Sequence, residues 1–100
     1  MAEAYSVAIS PHDYNSTTVG LSATAHLCAA IPNFLITEYF VNFEPVAREV
    51  ARGGLVAENG YLRLPTAPGL GIEIDEEALA RYAYREFRPR TIRRPGDEGP

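Results

Sequence analysis

Val7-Ala8-Ile9-Ser10-Pro11-His12 and Asn33-Phe34-Leu35-Ile36-Thr37-Glu38 decide how this chain is read. Each is a short apolar run that ends in one ionisable side chain. Both faces of the first run are apolar or small, as in a buried parallel strand. Between them, residues 18–30 read as a helix with Val19, Ala23, Leu27 and Ala30 along one stripe. Ser16 or Thr17 can cap its start, and Pro32 ends it by disfavouring helical geometry at Ile31. Strand, helix, strand at this spacing predicts a right-handed βαβ unit over 6–10, 18–30 and 34–37. His12 and Glu38 then stand at the same end of neighbouring parallel strands, the end where α/β barrels do their chemistry. Two strands cannot close a barrel, so the chain reads as the last piece of a larger enzyme.

Composition narrows the classes. The apolar fraction is 46% and the charged fraction 22%, ordinary for a folded chain of 100 residues. A formal net charge of −4 argues against a broad nucleic-acid-binding face. All nine basic residues are arginine, so no lysine base or Schiff-base lysine exists within the sequence. The basic stretch Arg88 to Arg94 is short and Pro-rich and reads as a tail. Cys28, the single cysteine, allows no internal disulfide; in Leu27-Cys28-Ala29-Ala30 it suits a small buried hydrophobe. One cysteine and two distant histidines offer no zinc-type cluster. The N-terminus lacks a basic region followed by a long apolar core, and no run nears the ~20 residues of a membrane span. A cytoplasmic location without membrane contact is the expectation.

The remaining chain reads as smaller pieces. Residues 2–6 suit the end of a helix. Tyr39 to Phe43 suits loop lining, with Tyr39 and Phe40 as packing residues. Residues 45–52 suit a short helix, with Pro45 in its first turn and Gly53 as C-terminal cap. Asn59-Gly60 between alternating residues predicts a hairpin over 55–64. Pro65 to Gly71 reads as turns, 72–74 as extended, and Asp75 as the cap of a helix over 76–82. Residues 87–93 suit a last strand. The segments group as 1–54, 55–92 and a disordered tail over 93–100.

His26, in mid-helix, reads as a packed or solvated residue. Asp13, Tyr14, Asn15 and Ser16 follow His12 directly; they suit capping and turn formation, with Asp13 and Asn15 as weaker candidates for contact with substrate hydroxyls. Glu38 stands in an apolar run, where a carboxylate is costly without a partner.

These segments carry a family resemblance. Ser10-Pro11-His12, Ala25-His26-Leu27-Cys28-Ala29-Ala30-Ile31-Pro32-Asn33-Phe34 and Glu38, in this order, resemble the C-terminal part of the enolase superfamily in its mandelate racemase and acid-sugar dehydratase branch. Asn59-Gly60-Tyr61-Leu62-Arg63-Leu64-Pro65 and Pro68 to Glu76 resemble the tail of that branch. The resemblance implies an α/β fold: the last two βα units of a modified (β/α) TIM-type barrel plus the C-terminal part of its capping domain, incomplete on its own. It implies that His12 moves a proton next to a carboxylate or hands one to a leaving hydroxyl, and that Glu38 hydrogen-bonds the substrate carboxylate. It implies a Mg²⁺ cofactor whose ligands come from strands outside this sequence, so no metal ligand is expected in this chain. The base on the second strand and the aspartate that orients the histidine are also outside it.

Three functions follow as expectations. The first is the C-terminal part of a Mg²⁺-dependent acid-sugar dehydratase acting on a small sugar acid and working as a homo-oligomer, with racemisation or epimerisation as the alternative chemistry. The second is an inactive truncated remnant. The third is an assembly module that docks on a separate N-terminal portion.

Overall fold

The computed structural model describes residues 1–14 and 16–86. Asn15, the strand expected over 87–93 and the tail expected over 93–100 lie outside the described residues. The described chain mixes helices with two small antiparallel sheets and one parallel bridge.

The two apolar runs pair in parallel, at a single bridge between Ile9 and Phe34. The Ile9 N–H donates to the Asn33 carbonyl at 2.8 Å, and the Leu35 N–H donates to the Ile9 carbonyl at 2.9 Å. This pairing is shorter than the strands expected over 6–10 and 34–37, and the sequence supplies the reason. The next donor along a parallel ladder would be residue 11, a proline with no N–H. Side chains take over at both ends. Asn33 Nδ2 donates to the Val7 carbonyl at 2.8 Å, and Thr37 Oγ1 donates to the Pro11 carbonyl at 3.4 Å. The expected burial of both faces is not met among the described residues: Val7, Leu35 and Ile36 are 53%, 68% and 62% exposed.

Helix α1 spans Thr18–Ala30, as the spacing predicts. Thr17 stands at its N-cap, without a side-chain bond, and Ile31 is extended before Pro32. The expected apolar stripe, however, is the wrong face. Val19, Ala23, Leu27 and Ala30 are exposed, and the buried side chains are Ser22, Ala25 and Cys28. Small residues let the helix approach its neighbours closely, and Thr18 Oγ1 ties its first turn to the Ala47 carbonyl at 2.9 Å.

A 3₁₀ turn over Val41–Phe43 leads into α2, Glu44–Val50, with Pro45 in its first turn. The helix stops before the expected residue 52, because Ala51–Gly53 is extended as β1. Beyond it, β2 (Val56–Glu58) and β3 (Tyr61–Arg63) form the expected hairpin, with Glu58 opposite Tyr61. Asn59 and Gly60 both have positive φ, 52° and 79°, as a two-residue I′ turn requires. The extended segment Ile72–Ile74 is β4 and pairs antiparallel with β1. This ladder joins residues on either side of position 54.

Gly53 therefore ends a strand and does not cap a helix. Its φ is 76°, and an added Cβ would lie 2.7 Å from the Gly71 carbonyl oxygen. Gly71 is tighter still: at φ 69°, a Cβ would meet Pro65 Cγ at 2.3 Å. Gly71→Ala is expected to cost about 2 kcal/mol from overpacking and a strained φ. Amide exchange would report it as lost protection at Gly54, whose N–H donates to the Gly71 carbonyl at 2.9 Å.

Helix α3, Glu76–Ala80, is shorter than the expected 76–82, since Arg81 and Tyr82 close it with bonds back to Ala78 and Leu79. Asp75 caps it as expected, accepting from the Ala78 N–H at 2.9 Å. That bond, with Arg52 nearby, holds the Asp75 carboxyl below the usual aspartate range. The cap is therefore present above the unfolded-state aspartate pKa and is lost as pH falls through the lower native value. Asp75→Ala is expected to remove this pH dependence and to loosen the first turn of the helix, read as faster amide exchange at Ala78.

The described core is small: Ala25, Cys28, Val50, Ala51 and Ala78. It sits where α1, α2, α3 and the β1–β4 ladder meet.

Candidate functional site

His12 and Glu38 follow the two paired segments at the same end, and the structure brings them together. His12 Nε2 lies 3.6 Å from Glu38 Oε2, with the side chains 76% and 51% exposed. Glu38 Oε2 also accepts the Asp13 backbone N–H at 2.9 Å. One glutamate oxygen thus faces both groups, and among the described residues Oε1 has no hydrogen-bond partner.

Asp13 reaches this pair through its backbone. Its carboxylate is buried, at 3% exposure, and lines a cavity of about 210 Å³ between α1 and α2. Asp13 Oδ2 and Ser22 Oγ both line it, and neither has a hydrogen-bond partner within the described residues. The Asp13 side chain therefore lies apart from the exposed pair, and Asn15 is outside the described residues. His26 Nδ1 lies 2.8 Å from the Ser22 carbonyl, a bond within the helix that gives this histidine a packing role.

Aromatic side chains extend from the pair in a line that the sequence does not announce. The Tyr14 ring is 6.3 Å from His12 and 4.9 Å from Phe40, which is 5.7 Å from Phe43. Phe40 is packed, as expected. Tyr39 is half-buried; burial and the Glu44 carboxylate push its phenol up from the ordinary value. Tyr14, expected in capping and turn formation, instead places its ring between His12 and Phe40.

A larger groove of about 660 Å³ runs between α1, Phe34 to Thr37 and the hairpin. Neither this groove nor the smaller cavity is lined by His12 or Glu38. Cys28 lines the groove. Burial pushes its thiol pKa up, and the Asp13 charge adds to this. Alkylation of Cys28 by iodoacetamide at neutral pH is expected to run about tenfold slower than that of an unfolded cysteine, because the thiolate is the nucleophile. Urea would remove the difference.

Among the described residues no group of three or more His, Cys, Asp or Glu could hold a metal ion. A divalent cation of the Mg²⁺ type takes six oxygen ligands, and the exposed pair offers one carboxylate and one imidazole. These residues do not fit such a centre.

The family model for enolase C-terminal domain-like proteins matches residues 1–78. The chain belongs to this family. A D-galactonate dehydratase family member from Streptomyces bingchenggensis is 39% identical over 98 residues, covering 96% of this chain and 24% of the relative. The D-xylonate dehydratase of Haloferax volcanii is 30% identical over 82 residues, covering 82% of this chain and 20% of that enzyme. The crystal structure of a mandelate racemase/muconate lactonizing enzyme from Jannaschia sp. CCS1 superposes with a TM-score of 0.78 at 31% identity, over 87% of this chain and 22% of that one. This enolase C-terminal domain-like chain thus spans less than a quarter of the length of these proteins, and its α/β fold is theirs over that span.

Proposed function

We propose that this chain supplies the histidine–glutamate end of an acid-sugar dehydratase, as the C-terminal part of a Mg²⁺-dependent enzyme. The observation that carries this reading is the His12–Glu38 pair, 3.6 Å apart beyond a parallel bridge, with the Asp13 N–H on the same Glu38 oxygen. The dehydratase names of relatives support the reaction class.

In this reading the two segments are the last two strands of a barrel, and a small sugar acid binds above them. His12 takes the proton next to the carboxylate or delivers one to the leaving hydroxyl, which departs as water. An imidazole can do both near neutral pH. Glu38, in its protonated form, would donate from Oε1 to a substrate carboxylate oxygen, while the Asp13 N–H keeps Oε2 in place. Mg²⁺ would be held by residues outside this chain. The intact enzyme is read as a cytoplasmic homo-oligomer. Racemisation or epimerisation would use the same proton abstraction without loss of water.

The test is a chimera in which this chain replaces the matching C-terminal segment of the Streptomyces relative. A panel of aldonic acids with Mg²⁺ is expected to yield keto acids one water lighter. Deuterium exchange next to the carboxylate without loss of water would favour the racemase alternative. A folded chimera with neither activity would defeat the proposal.

A second reading rests on the exposed Val7, Leu35 and Ile36. Apolar strands without a cover suit a chain that needs a separate N-terminal portion, or an inactive remnant. Copurification with such a portion separates the two.

A further inference from the structure

We infer that Asn59-Gly60, at the tip of the β2–β3 hairpin, is a site of spontaneous covalent modification through a cyclic imide, independent of any enzymatic role. Three observations converge on this dipeptide. Both residues are exposed. Nothing lies within 4 Å of where a Gly60 Cβ would be, so no other segment packs over the turn at Gly60. The two strands are three residues each and pair chiefly with one another. An isolated two-stranded hairpin is marginal in water, and opening of the turn would free Asn59 from its left-handed conformation.

The chemistry is self-contained. The Gly60 backbone nitrogen gives its proton to hydroxide and attacks Asn59 Cγ. Nδ2 takes a proton from water, the Cγ–Nδ2 bond breaks and ammonia leaves, closing a five-membered imide and returning the hydroxide. Water then adds to one of the two ring carbonyls. Addition at Cγ returns a normal aspartate; addition at the backbone carbonyl routes the main chain through Cγ as an isoaspartyl residue. Nothing is oxidised or reduced. Either product adds one negative charge to a chain already at −4.

The isoaspartyl product lengthens the backbone by one methylene. A two-residue I′ turn has no room for it, because hairpin register is fixed by loop length. Asn59, Gly60, Tyr61, Leu62 and Leu64 also form one wall of the 660 Å³ groove. Modification at the tip therefore reshapes that wall.

The experiment incubates the full chain at pH 6 and pH 8 and reads peptides by mass spectrometry. Asn33 and Asn42, each followed by phenylalanine, are internal controls. Because Gly60 has no side chain to obstruct the attack, Asn59 is expected to convert about tenfold faster than either control, and faster at pH 8. Two products of equal mass are expected, one of them a substrate for isoaspartyl methyltransferase. Gly60→Ala is expected to slow conversion toward the control rates. Equal rates at all three asparagines, or an intact Asn59 in the native chain that reacts only in urea, would overturn the inference.

Discussion

His12→Ala in the assembled enzyme is expected to lower dehydration by about a thousandfold, the scale of a lost general acid–base group. The KM for the sugar acid should change little, because the carboxylate contact assigned to Glu38 is untouched. Glu38→Gln is the complementary case. It keeps the shape and an acceptor oxygen for the Asp13 N–H, but Oε1 or its amide replacement meets the substrate carboxylate differently. A higher KM is expected together with a kcat loss of about a hundredfold. The two profiles distinguish proton transfer from carboxylate recognition. Undiminished turnover in the His12 variant would remove the histidine from the mechanism, however close it lies to Glu38.

The isolated chain is expected to self-associate and to melt without a sharp transition. Its described core holds nothing larger than Val50, while Val7, Leu27, Leu35 and Ile36 are each more than half exposed. Each large aliphatic side chain left in water forgoes about 1.5–3 kcal/mol. The Phe34 segment also pairs at one bridge only, and an open strand edge is a template for further pairing. Size exclusion with light scattering should find species above the monomer, and a hydrophobic dye should bind them. A monodisperse monomer with cooperative melting would contradict this expectation. If a separate N-terminal portion covers these strands, its addition should suppress the association.

Much of the local structure was legible in the residues. Pro32 set the end of α1, Asn59-Gly60 the hairpin, and Asp75 the start of α3, each through a backbone constraint that acts within a few residues. His12 and Glu38 were legible as neighbours because a βαβ unit leaves its two strand ends side by side.

Other features depended on contacts between distant residues. The β1–β4 ladder joins 51–53 to 72–74, segments too short to show a period of their own. Residues 51 and 52 were read as helix because nothing local opposed it; pairing with β4 made them a strand. Apolar spacing favours Val19, Ala23, Leu27 and Ala30 as the buried face of α1, and these four are exposed. The face that is buried is the one small enough to approach α2 and β4, through Ser22, Ala25 and Cys28. The sequence by itself determined the family, the turns and the proximity of His12 to Glu38, because these rest on residue identity and short-range backbone geometry. Only the tertiary structure decided that the Asp13 N–H holds Glu38 and that the Asp13 carboxylate turns away from it. A backbone donor has no sequence signature, and the direction of a side chain after a strand end is fixed by what packs around it.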